Sequence, residues 1–118
     1  MAQEPTRAQQ LMGAVAPKLA ELTDEVLFGD VWKRPGLSPR DRSLITVAAL
    51  VALYRSDQAA SHMRIALDNG VTEDELSELV THLAFYAGWP CGVAGATTLR
   101  GILEERTAED GPSQDGNG

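Results

Sequence analysis

The sequence is poor in cysteine, in long apolar runs and in basic residues, and each of these scarcities argues against a class of protein. A single cysteine excludes a disulfide framework within the chain, a CxxC redox pair and zinc-finger spacing. No apolar run reaches the ~18 residues that span a bilayer, and the opening MAQEPTRAQQ lacks the regions of a signal peptide. Ten Lys and Arg against 17 Asp and Glu give a net charge of −7, which argues against nucleic acid or an anionic membrane as partner. We therefore expect a cytoplasmic protein.

Strand patterns are also scarce, because no apolar-polar alternation is sustained and the Ala/Leu-rich composition favours helices. The sequence predicts an all-α fold, with one domain over 1–106, since 118 residues are too few for two ordinary domains. The predicted segments are a helix over 6–28 broken near Ala14–Ala16, a loop over 29–38, helices over 39–54, 57–69, 73–86 and 90–106, and a disordered acidic tail over 107–118.

Three helix boundaries are marked by specific residues. Ser38 followed by Pro39 is typical of a helix start, and Thr72 with Glu75 forms a predicted capping box. Gly70 is a natural left-handed residue after a helix. The stretch from Leu44 to Tyr54 has one weakly polar side chain, Thr46, and is therefore apolar on nearly every face. A helix of this kind must be covered all round, which indicates contacts between subunits as well as core contacts.

Two histidines and a group of arginines are the candidates for polar chemistry. His62 lies near the buried side of its predicted helix, where an imidazole serves either as a hydrogen-bonded core residue or as an acid-base group. His82 has the same two interpretations. The arginines concentrate between residues 34 and 64, as Arg34, Arg40, Arg42, Arg55 and Arg64. Each alone fits a solvated surface, but together they indicate a small anionic ligand, with Arg42 at the edge of the apolar helix.

Cys91 lies near a predicted helix N-terminus, where the pKa of a thiol can fall, although a buried inert thiol is the simpler interpretation. The spacing of the histidines predicts no metal site. Gly-rich phosphate loops and nucleophile elbows do not occur in the sequence.

Three motifs recur in the order and spacing of one family. They are VWKRPGLSPRDRSL, HMRIALDNGVT and YAGWP, within about residues 25–103. On these motifs the chain resembles the decarboxylase branch of the carboxymuconolactone decarboxylase family, within the alkylhydroperoxidase D-like superfamily. The resemblance implies an antiparallel helical bundle that assembles into a ring, as a homo-oligomeric trimer or hexamer.

The resemblance further implies a carboxy-lyase of aromatic catabolism that needs no cofactor. It would remove CO2 from γ-carboxymuconolactone, a small anionic substrate, and yield an enol-lactone of 3-oxoadipate. Such a site needs a cation for the acid groups, a proton donor and a dry pocket. We expect His62 and Arg42 to be catalytic, and the substrate-binding candidates are Arg40, Trp32, Tyr86, Trp89 and His82.

The peroxidase branch of the superfamily uses the pattern E-x11-C-x-x-C-x-x-x-H. Placed on His62, this pattern puts Ser43 at the glutamate and Arg55 and Gln58 at the cysteines, so the dithiol is missing. The chain also departs from the decarboxylase pattern, with residues 54–59 in place of a G-R-x-E-E-L motif and 91–93 in place of A-A-N. Three hypotheses stay open: this decarboxylase, another enzyme on the same scaffold, including a peroxiredoxin-like or other thiol-dependent one, and a non-catalytic oligomeric binding module.

Overall fold

The computed structural model of the chain describes residues 4–115, with side chains described for residues 4–109. All the secondary structure in this part of the chain is helical, which confirms the all-α prediction. The described residues divide into two compact units, one ending at Pro39 and the other beginning at Arg40. The division falls just after the predicted loop over 29–38, and one domain over 1–106 stays a prediction.

The N-terminal unit consists of short helices. They are α1 (Arg7–Met12), α2 (Pro17–Leu22), a π-helical turn (Thr23–Phe28) and a 3-10 turn (Val31–Lys33). The predicted break before Pro17 is confirmed, because Ala16 has a non-helical φ of −142° and Pro17 is the first residue of α2.

Most large apolar residues of this unit are exposed. Its buried residues among those described are two alanines, Ala8 and Ala20. The predicted apolar face of the first segment is 41% to 85% exposed at each of its five positions, which are Leu11, Val15, Leu19, Leu22 and Val26. We call these five residues the N-terminal stripe. The helices are too short to cover it themselves.

The C-terminal unit is built from four longer helices, α3 (Pro39–Ala52), α4 (Ser56–Asp68), α5 (Glu73–Ala87) and α6 (Trp89–Asp115). The predicted boundaries of α3, α4 and α5 agree with the structure to within two residues. The capping box is present, since the Thr72 hydroxyl accepts from the Glu75 amide at 3.0 Å and a Glu75 carboxylate oxygen accepts from the Thr72 amide at 2.9 Å.

The end of α6 differs from the prediction. The helix continues to Asp115 and so includes residues 107–115, which the sequence placed in a disordered tail. Each residue other than proline that is added to a formed helix gains a backbone hydrogen bond, so a helix anchored in a core can extend through polar sequence, although Pro112 adds no such bond. Residues 116–118 of the predicted tail lie outside the described residues.

The core of the C-terminal unit lies between its four helices. Residues of α3 spaced four apart, Ser43, Val47 and Val51, are buried and face inward. The rest of the core consists of Ala59, Met63, Ala66, Val71, Leu76, Val80, Leu99 and Ile102. Buried Ser43 accepts a hydrogen bond from the Asn69 side chain at 3.0 Å, which ties the start of α3 to the end of α4 and sets the two helices antiparallel.

Two residues that follow helices, Tyr54 after α3 and Gly88 after α5, have positive φ angles. Tyr54, the second residue after α3, has a φ of +62°, the left-handed region that glycine usually occupies. Its amide donates to the Val51 carbonyl at 3.0 Å, and the Arg55 amide donates to the Leu50 carbonyl at 2.9 Å. These two bonds form a Schellman motif. Between α5 and α6 the left-handed residue is Gly88, with a φ of +110°.

No helix in the described part of the chain is long and apolar enough to cross a membrane.

Candidate active site

His62 lies in the middle of α4 and is half-buried. The next residue, Met63, is fully buried in the core, as is Ala66 one turn on. Burial lowers the pKa of His62 below its ordinary value, because the charged imidazolium loses solvation there. Its Nδ1 atom is shielded from solvent. The structure therefore places His62 near the buried side of its helix, as the sequence predicts, and favours the neutral imidazole.

Arg42 lies in the first turn of α3 and is half-buried, with its Nε atom shielded from solvent. Its neighbour Ser43 is bonded to Asn69 at the end of α4. At 1.5 Å per residue, His62 lies about 10 Å along α4 from Asn69. Arg42 and His62 thus belong to adjacent antiparallel helices, with an offset of about 10 Å along the helix direction.

Arg40 and His82 are brought together by a groove of about 370 Å3 between α3 and α5. Its apolar residues are Leu44, Ala48, Leu79 and Leu83, and its other polar residues are Glu75 and Glu78. Arg40 forms an ion pair with Glu75 and also lies 3.6 Å from Asp41. A carboxylate on a ligand would therefore compete with Glu75 and Asp41 for the Arg40 guanidinium.

The Glu75 carboxylate is held in its charged form by two neighbours. The Thr72 backbone amide contributes most to lowering its pKa, and the hydrogen bond from Arg40 contributes next. The sequence analysis did not identify Glu75 as a residue of this groove. The capping-box signal identified it as a helix start, but no local pattern connects it with Arg40, which lies 35 residues away.

Tyr86 and Trp89 lie at the end of α5 and the start of α6. The Tyr86 ring stacks on His82 with 4.7 Å between centroids, and Phe85 meets Trp89 edge to face at 5.3 Å. Phe85 and Trp89 also line a smaller groove of about 210 Å3 between α5 and α6. Tyr86 is 79% exposed and Trp89 60% exposed, so in a single chain neither side chain makes a dry wall.

The other candidates are dispersed. Trp32 belongs to the N-terminal unit, where its ring lies 5.7 Å from Phe28, and Arg34 belongs to the same unit. Arg64 donates twice to Glu105, at 2.9 and 3.1 Å, and so joins α4 to α6. Arg55 precedes α4 and is exposed. Within the C-terminal unit, Arg40 and Arg64 therefore have different acidic partners on different helices.

Cys91 lies in the first turn of α6 and is half-buried, with its Sγ atom 3.6 Å from the Ala52 carbonyl oxygen. This contact joins the start of α6 to the end of α3. Among the described residues no group of three or more His, Cys, Asp or Glu side chains is arranged to hold a metal ion.

Comparisons with known proteins match the chain to one protein family and to two decarboxylases. A sequence model of the carboxymuconolactone decarboxylase family matches residues 17–101. The chain is 51% identical over 78 residues to a 4-carboxymuconolactone decarboxylase of Acinetobacter baylyi, covering 66% of this chain and 58% of the relative. It is 43% identical over 90 residues to a nitrosuccinic acid decarboxylase of Metarhizium robertsii, covering 76% of this chain and 59% of the relative. The chain thus matches less than two thirds of the length of either relative.

Proposed function

Because the chain belongs to the carboxymuconolactone decarboxylase family, we propose that it is a carboxy-lyase that removes CO2 from γ-carboxymuconolactone or a related acid, as in the breakdown of aromatic compounds. The observation that carries this proposal is the extent of identity with a 4-carboxymuconolactone decarboxylase. Half-buried His62 and Arg42 on neighbouring antiparallel helices support it, since they supply a proton donor and a cation for an anionic substrate.

The reaction breaks the bond between a ring carbon and its carboxylate. CO2 leaves, and the electron pair of the broken bond moves through the ring double bond to the lactone carbonyl oxygen, forming a dienolate. A ring carbon then takes up one proton, which gives the unsaturated lactone product. In a nitrosuccinic acid the nitro group would accept the electron pair in the same way. The substrate class is therefore an acid in which the carbon that bears the departing carboxylate is attached to an electron-accepting group, or to a double bond conjugated with one.

His62 is proposed to deliver the proton. Because burial lowers its pKa, the protonated imidazole is a stronger acid than an exposed one, and the transfer to carbon returns it to the neutral form that burial favours. Arg42 is proposed to bind the substrate carboxylate that is retained, or the dienolate oxygen as its charge develops. A cation on the departing carboxylate would instead hold back the electrons that the reaction needs.

The groove between α3 and α5 is the proposed place for the substrate's outer part. Arg40 would bind a carboxylate there in exchange for Glu75, and His82, with Tyr86 stacked on it, would supply part of its wall. Trp89 would act from the smaller groove between α5 and α6. We also propose that the chain is a homo-oligomer, a trimer or hexamer. The exposure of large apolar residues on α3 and directly after it, such as Ile45 at 56% and Leu53 at 65%, supports this assembly.

The test is the loss of γ-carboxymuconolactone absorbance on addition of the purified chain, with nitrosuccinic acid as a second substrate. We expect His62→Ala and Arg42→Ala to lower kcat/KM by about 10² to 10⁴, the usual contribution of a positioned acid-base or charged group. Exposed Arg100 pairs with Glu104 on the surface of α6, so Arg100→Ala is the matched control and should keep full activity. No turnover of either acid, or full activity without His62, would contradict the proposal.

A further inference from the structure

The end of α4 carries a dipeptide that is prone to a spontaneous covalent change. Both asparagines of the chain, Asn69 and Asn117, are followed by glycine. Because glycine has no Cβ to hinder its amide nitrogen, an Asn-Gly bond undergoes deamidation more readily than other Asn bonds. Asn117 lies outside the described residues, whereas Asn69 is the residue that ends α4.

The reaction joins two groups of adjacent residues and consumes only water. The Gly70 amide nitrogen attacks the side-chain carbonyl carbon of Asn69 and loses its proton, and the side-chain nitrogen leaves as ammonia. Water then opens the resulting five-membered ring at either of its carbonyl carbons, which gives aspartate or isoaspartate. The step therefore depends on whether the Gly70 nitrogen can reach the Asn69 side chain.

The fold holds these two groups apart. Asn69 has a ψ of 9°, so the Gly70 nitrogen eclipses the Asn69 backbone nitrogen and is rotated away from the Asn69 Cβ. The Asn69 side-chain amide donates to the hydroxyl of buried Ser43 at 3.0 Å, which directs it toward α3. The Gly70 amide, the attacking group, donates to the Leu67 carbonyl at 3.2 Å. Ring closure requires all three restraints to be released.

Conversion would change this helix end in two ways. A carboxylate adds a negative charge at the C-terminal end of α4, where the helix dipole disfavours one, and it lacks the N–H donor that reaches Ser43. Isoaspartate also adds a carbon to the main chain, which would displace the Val71 amide from the Ala66 carbonyl, to which it donates at 2.9 Å. Either product therefore weakens the tie between α3 and α4.

We propose that Asn69 is a deamidation site that its hydrogen bond to Ser43 keeps unreactive in the folded chain. Opening of the tie between α3 and α4 then starts an irreversible modification. One consequence rests on the proposed function: Arg42 adjoins Ser43, so a loosened start of α3 would lower decarboxylase activity. The modification itself is measured without substrate, so its failure is distinguishable from a failure of the proposed function.

The experiment incubates the full chain in heavy-oxygen water at mildly alkaline pH, either folded or unfolded in guanidinium chloride. Digestion with trypsin in ordinary water follows, so that only conversion during the incubation adds the heavy atom. Trypsin cuts after Arg64, Arg100 and Arg106, which places Asn69 and Asn117 in different peptides. Mass spectrometry of the peptide over 65–100 then gives the rate of conversion at Asn69.

We expect Asn69 to convert readily in the unfolded wild type and slowly in the folded wild type. In folded Ser43→Ala the conversion should be about 5- to 100-fold faster than in the folded wild type, as the loss of one buried hydrogen bond predicts. Equal rates in the folded and unfolded wild type would overturn the proposal. So would an unreactive Asn69 in the unfolded chain, or a folded Ser43→Ala no faster than the wild type.

Gly92→Ala is the matched control, because it strains the contact between α5 and α6 and removes no hydrogen bond of Asn69. A Cβ on Gly92 would lie 2.5 Å from the Ala84 Cβ, so this variant is destabilised as well. We expect Asn69 to convert in folded Gly92→Ala at the wild-type rate. Acceleration equal to that of Ser43→Ala would show that the reaction follows unfolding of the whole unit, which would overturn the role of Ser43.

Asn69→Asp carries the charge of one product and tests its effect on the fold. We expect this variant to unfold at a lower urea concentration than the wild type, because it loses the donor to Ser43 and gains a charge that the helix dipole disfavours. A variant as resistant to urea as the wild type would contradict the weakened tie.

Discussion

The close approach of α5 and α6 at Gly92 gives a direct test of the packing that positions the groove between these two helices. A Cβ on Gly92 would lie 2.5 Å from the Cβ and 3.0 Å from the Cα of Ala84, so Gly92→Ala must push the two helices apart. Overpacking of this kind costs about 1–3 kcal/mol. Alanine also gains up to about 1 kcal/mol over glycine inside a helix, which partly offsets the loss.

Gly101 separates these two contributions. It lies on the same helix and is exposed, and a Cβ added to it would meet nothing within 4 Å, so Gly101→Ala gains the helix preference without a clash. The difference in free energy of unfolding between Gly101→Ala and Gly92→Ala therefore measures the clash, and we expect about 1–3 kcal/mol. For a unit of this size, 1 kcal/mol corresponds to a shift in Tm of about 4–8 °C.

The assay is urea unfolding at one fixed protein concentration, followed by circular dichroism. The swapped pair, Gly92→Ala with Ala84→Gly, removes the contact between the two Cβ atoms and leaves the helix preferences balanced. We expect it to recover most of the stability lost in Gly92→Ala alone. Equal stability of Gly92→Ala and Gly101→Ala would refute the packing argument, and so would a swapped pair no more stable than Gly92→Ala.

Three further predictions concern other parts of the C-terminal unit. The unfolded chain keeps the ordinary His62 pKa of about 6.5 and binds more protons than the folded chain, so the free energy of unfolding should fall as pH drops below that value. His62→Gln should flatten this pH dependence in urea titrations. Ser43→Ala should cost about 1–3 kcal/mol in the same assay, because it removes the hydrogen-bond acceptor of the Asn69 amide. Cys91→Ser should keep decarboxylase activity within a few-fold, and an inactive variant would indicate thiol chemistry instead.

The helices could be predicted from the sequence because their signals are local. Pro17, Ser38 with Pro39, Gly70 and the Thr72 capping box each act within a few residues, and α3, α4 and α5 begin and end within two residues of the predicted positions. The end of α6 could not be predicted in this way. Polar composition argues against a packed core, but it does not prevent a formed helix from continuing.

The candidate site was predicted less completely because its contacts are distant in sequence. The half-burial of His62 follows from apolar neighbours on its own helix and was predicted. The ion pairs of Arg40 with Glu75 and of Arg64 with Glu105 join residues 35 and 41 positions apart, which no local pattern shows. Tyr54 departs from a family motif in the sequence, but its left-handed backbone conformation is visible only in the structure.

The two oxygens of the Glu75 carboxylate have different partners. Oε1 accepts from the Thr72 amide at the start of α5, and Oε2 accepts from Arg40. A ligand that draws Arg40 away therefore releases one oxygen while the other keeps the first turn of α5 capped. If Arg40 binds a substrate carboxylate as proposed, the exchange would leave the helix that carries His82 capped, so recognition of an anion and stability of the fold would be separable at this residue.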